Sequence, residues 1–117
     1  MTERTFRITV RGAFDGLSTE QRERLQAEAA EHDVLYAAYT PEGHLSYEIA
    51  ARASFTFRFL DSGEAEEDIV PASDRALAAA EAWLTEHEYG FKNLRVQAED
   101  LSQAALGKRR RRALAAG

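Results

Sequence analysis

The chain has 117 residues, enough for one domain that buries roughly two thirds of the surface its unfolded form exposes. Apolar residues make up 44% and charged residues 30%, which excludes wholesale disorder. The absence of cysteine excludes disulfides, thiolate metal sites and thiol catalysis. The formal charge of −5 is uneven: Lys108, Arg109, Arg110, Arg111 and Arg112 form one run, and without it ten basic residues stand against twenty acidic ones. The acidic body repels nucleic acid, so only the tail attracts it, weakly and without sequence preference.

No apolar run approaches the ~20 residues of a membrane span. Met1 to Phe6 leads straight into a strand pattern without a signal-peptide core. The expected location is the cytoplasm.

In chain order, Thr5 to Arg11 alternate strictly, with Phe6, Ile8 and Val10 on one face and Arg7, Thr9 and Arg11 on the other. This predicts a strand with one buried face. Gly12 to Gly16 is read as the turn that follows, with Asp15-Gly16 as its signal. Ser18-Thr19-Glu20-Gln21 has the spacing of a capping box and opens a helix predicted to reach about His32.

Val34 to Thr40 is predicted as a second, more evenly apolar strand. Thr40-Pro41-Glu42-Gly43 has proline and glycine where a type I turn places them, so a hairpin returns over His44 to Ala50. Ala51-Arg52-Ala53 breaks the alternation before Phe55, Phe57 and Phe59 resume it. A bend or bulge that carries the third strand onward is expected there, with a separate extra strand as the alternative.

The second helix is predicted from about Asp68, with Ala72, Ala76, Ala80, Trp83, Leu84 and His87 near helical spacing and Gly90 as its stop. Glu64, Glu66, Glu67 and Asp68 then lie at the positive helix terminus, a solvated start rather than a metal cluster. Asn93 to Ala98 is the last strand, with Leu94, Val96 and Ala98 inward.

These elements predict an α+β fold of the ferredoxin-like β-α-β-β-α-β kind, an antiparallel sheet with both helices on one face. It occupies residues 1–100 as a single domain, and residues 101–117 form a basic tail. By analogy the first strand is expected between the second and third, with the last beside the third.

Residues 4–107 carry FRITVRGAFDGL (6–17), EHDVLYAAYTPEGHLSY (31–47), FTFRFLDSGE (55–64) and NLRVQAEDLS (93–102). In these stretches the chain resembles a family of short actinobacterial proteins classed only as a domain of unknown function. The resemblance implies a cytosolic bacterial protein of one domain, and it transfers no activity, cofactor or catalytic residue.

The residues themselves offer little catalytic chemistry. His44 and Glu48 share a strand face about 13 Å apart at their backbones, too far to hold a metal without a third element. His32 and His87 are read as helix C-terminal caps. No phosphate loop or nucleophile motif is present. Gly12-Ala13-Phe14-Asp15-Gly16 puts an acid where an acylphosphatase-type loop needs its arginine. The phenylalanines lie in the apolar phase, so the open face lacks the stacking platform of RNA-reading sheets. Trp83, Tyr36, Tyr39 and Tyr47 are read as core filling before pocket lining.

The most informative feature is the arginine set Arg7, Arg11, Arg58 and Arg95, whose phase puts them together on the open face, with Glu48 as counter-charge. The expected function is a non-enzymatic interaction module acting as a homodimer, with an acidic protein or small anionic ligand as further partners. The alternatives are a small-molecule-binding protein or cofactor-free enzyme of the dimeric α+β barrel kind, and polyanion binding through Lys108–Arg112. No metal and no cofactor is expected.

Overall fold

The alternating segment near the N-terminus becomes the central strand of the sheet. In the computed structural model, which describes residues 3–50 and 52–101, β1 (Arg4–Phe14) lies between β3 (Ser54–Gly63) and β4 (Phe91–Asp100). β2 (His44–Tyr47) lies outside β3. All three pairings are antiparallel. With α1 (Thr19–Ala27) and α2 (Ile69–Glu86) the architecture is α+β, a four-stranded sheet and two helices.

Register joins the apolar phases of the strands. Ile8 faces Phe59, Val10 faces Phe57 and Gly12 faces Phe55, while Leu45 and Tyr47 continue the rows on β2. α2 lays Ala72, Ala76, Ala80 and Leu84, spaced four apart, onto this surface, and the alanines let the helix approach closely. α1 adds Leu25, which like Phe6, Ile8 and Val10 is fully enclosed. Enclosing each of these large side chains contributes about 1.5–3 kcal/mol. The capping box at α1 forms as the sequence predicts: Ser18 Oγ accepts from the Gln21 amide at 3.1 Å and Gln21 Oε1 from the Ser18 amide at 2.8 Å.

Several expectations are corrected. Val34–Thr40 is not a strand: Asp33 Oδ1 accepts the Leu35 amide at 2.9 Å and closes a 3-10 turn over Val34–Tyr36 where the strand was to begin. Only Thr40 makes a bridge, to Phe59. The Thr40–Gly43 turn does form, Gly43 N donating to Thr40 O at 3.1 Å, but the hairpin partner of β2 is β3. The third strand does not continue past a bulge. The chain reverses after Tyr47, with Arg52 N donating to Glu48 O at 2.9 Å, and Phe55 returns opposite Tyr47. The strand order differs too, since β1 has β3 and β4 as its neighbours and β2 is at the edge.

Helix bounds shift for local reasons. α1 ends at Ala27 and a 3-10 turn over Ala29–His32 follows. α2 ends at Glu86, with the left-handed residue at Glu88 (φ 62°) rather than at Gly90. Gly12 belongs to β1 instead of a turn. β4 bulges opposite it, Asn93 adopting φ 58°, so that Asn93 and Leu94 together oppose Gly12. A Cβ at Gly12 would sit 2.8 Å from both Leu94 Cδ2 and Phe55 Cζ. Ahead of α2, Asp68 Oδ2 accepts the Glu64 and Ala65 amides at 2.9 Å each. The Ala65 bond first, then the Glu64 bond, holds its carboxyl below the ordinary value.

Candidate functional site

With both helices on the apolar face, the other face of the sheet presents polar rows fixed by register. One row reads His44, Arg58, Thr9, Gln97 across β2, β3, β1 and β4. The next reads Ser46, Thr56, Arg11, Arg95, and a third puts Leu60, Arg7 and Glu99 side by side. All four arginines named from the sequence therefore share this face, yet their surroundings divide them into two pairs.

Arg58 and Arg7 are engaged. Arg58 Nη1 donates to Ser46 Oγ at 2.7 Å, and both groups are largely covered. Arg7 lies over the ring of Tyr39, 5.3 Å from its centroid, and the Tyr39 hydroxyl meets Thr9 Oγ1 at 3.2 Å. Such a cation–π contact contributes about 0.5–1 kcal/mol where it is exposed. The segment that sequence reasoning read as a strand thus folds over the β1–β3 half of the open face. Sequence reasoning missed Tyr39 in this role, because an evenly apolar stretch gives no signal for which side of a sheet it will cover.

Arg11 and Arg95 are not engaged. They stand directly opposite one another on β1 and β4, both exposed, and among the described residues no carboxylate pairs with either. With Thr9, Val96 and Gln97 they line a shallow cavity of about 330 Å³. Like charges directly opposite on a sheet are unfavourable, and two guanidinium forks with neighbouring hydroxyl and amide donors suit a carboxylate or phosphate. Glu48 stands apart from this pair. It lies beyond the last paired residue of β2, where it lines a separate cavity of about 250 Å³ with Arg52 and Arg58.

Two of the three histidines lie within hydrogen-bond distance of backbone carbonyls. His87 follows α2 and its Nδ1 is 2.8 Å from Trp83 O, its ring stacked on the indole at 4.0 Å. His32 Nδ1 is 2.9 Å from Leu45 O, so this side chain plugs the outer edge of β2. His44 Nδ1 is buried with no hydrogen-bond partner among the described residues. No group of three or more His, Asp or Glu side chains is placed to hold a metal among the described residues. Likewise, none of their helices is long and apolar enough to cross a membrane.

The space between sheet and helices holds Phe14, Tyr47, Phe55 and Tyr89 in ring contact. Tyr47 donates to Leu25 O at 2.6 Å. Burial, reinforced by Glu28, Tyr89 and Glu31, pushes its hydroxyl up to about 12, so it keeps its proton at neutral pH and is no general base there. Trp83 packs edge-on to Phe57, whereas Tyr36 is largely exposed. Lys108, Arg109, Arg110, Arg111 and Arg112 lie outside the described residues.

No curated protein and no solved structure matches the chain. A family model described as a family of unknown function, DUF6204, matches residues 1–112, and the chain belongs to that family.

Proposed function

We propose that the chain is a non-enzymatic interaction module that works as a homodimer in the cytoplasm, its open sheet face receiving an acidic group between Arg11 and Arg95. The observation that carries this reading is the cross-strand arginine pair at the cavity on β1 and β4, which no carboxylate among the described residues compensates. The other two arginines have partners within the chain, so the charge left exposed is local rather than general. The strand order β2-β3-β1-β4 and the two helices on one face support classing the fold as ferredoxin-like.

Inorganic phosphate, titrated at constant ionic strength, tests the site. Wild type at low micromolar concentration gains thermal stability with phosphate, and Arg95→Thr loses that gain. Arg95→Thr also melts slightly higher without phosphate, because removing a like-charge pair relieves about 0.2–1 kcal/mol. A phosphate response equal in both proteins would refute the site.

A further inference from the structure

The two edges of the sheet are treated differently. β2 is four residues long, and the outward carbonyl of Leu45 is taken by His32. β4 is ten residues long, and among the described residues no backbone group pairs with its outer side. A long unpaired edge is a template for another strand. Past the bulge at Asn93 and Leu94, the part of β4 in continuous register with β1 runs from Arg95 to Asp100, without proline and with apolar Val96 39% exposed.

We infer that this edge pairs with its own copy, antiparallel about Gln97, to make a continuous eight-stranded sheet, and that the acidic group received by the arginine pair is Glu99 of the partner subunit. The inference rests on the reading of the open face given above. Of the antiparallel self-pairings open to this edge, the one that sets Gln97 against itself brings opposite charges together on the open face. That register places Arg95 opposite the partner's Glu99, and by the two-fold symmetry Glu99 opposite the partner's Arg95.

Both side chains are on the open face, and both are exposed and without an ion pair among the described residues. Within the chain Glu99 has Arg7 as its neighbour in register, but Arg7 is drawn onto Tyr39. The dimer thus supplies each of two unpaired charges with its opposite. On the apolar face the same register covers Val96 with the partner's Ala98. It ends at Leu94 against the partner's Asp100, whose fellow in the chain is held by Arg4 at 2.8 Å.

The test is sedimentation velocity over a concentration series up to high micromolar, on wild type, Arg95→Glu, Glu99→Arg and the double variant carrying both changes. Far-UV circular dichroism and melting curves establish that each variant is folded. Wild type dimerises. Each single reversal turns two attractive contacts into two repulsive ones and weakens the dimer at least about tenfold. The double variant recovers to near wild type, which a merely structural role for either residue would not produce. A monomeric wild type, or a dimer indifferent to both reversals, overturns the edge pairing. The phosphate response of Arg11 and Arg95 is read separately on dilute protein. A monomer that still responds to phosphate overturns this inference and leaves the binding site standing, whereas a monomer that does not respond overturns both.

Discussion

Tyr47 shows how one buried hydroxyl ties two elements together. Its side chain starts on β2, crosses the aromatic cluster and ends on the carbonyl of Leu25 in α1. Its folded value of about 12 stands above the ordinary tyrosine value of 10.0, so the unfolded chain ionises first. The stability held by the neutral hydroxyl is complete below pH 10 and is lost as pH climbs towards 12. Absorbance titration of tyrosinate should show one of the four tyrosines lagging the others, and Tyr47→Phe should abolish that lag. The substitution should also cost about 1 kcal/mol, the typical worth of one such bond. A titration in which Tyr47→Phe leaves the late step in place would contradict the assignment.

At the scale of elements, the turns decide more than the strands. Gly43 sits at φ 90°, and a Cβ there would strike the ring of Phe59. Both effects penalise Gly43→Ala, which should destabilise the protein by about 2 kcal/mol or more in denaturant melts. A cost within the error of the measurement would mean that the turn relaxes freely. Where a pattern had a single physical solution, the sequence was legible. The alternations of Phe6-Ile8-Val10 and Phe55-Phe57-Phe59, the Ser18 capping box and the alanine stripe of α2 all appear as read. Val34–Tyr39 was not legible, because its apolar composition suits a strand while one side chain, Asp33, captures the amide that would start it. The reversal after Tyr47 was hidden for a related reason. Alternation resumes at Phe55 in the same phase whether the chain bends onward or turns back. The face shared by the four arginines could be derived from phase alone, but not the contacts of Ser46 and Tyr39 that leave only Arg11 and Arg95 open.

Over the whole molecule, an acidic chain keeps two like charges side by side on the outer half of its open face, next to a strand edge that no described residue pairs. Each feature is unfavourable in isolation, and a single event, the arrival of a second copy along β4, satisfies both. In the proposed dimer, stability given up in the free chain is restored at the same place by association, a trade common at binding surfaces. The contrast with β2, whose short edge is plugged by His32, leaves one edge open to a partner instead of two, so the proposed pairing closes at a dimer and does not run on into fibres. Native mass spectrometry of the protein taken from near-neutral solution at high micromolar concentration reads this most directly. The account predicts a dominant species of twice the 13.1 kDa chain, with no added ligand mass needed to hold it. A dominant species at 13.1 kDa, the single chain, would contradict it.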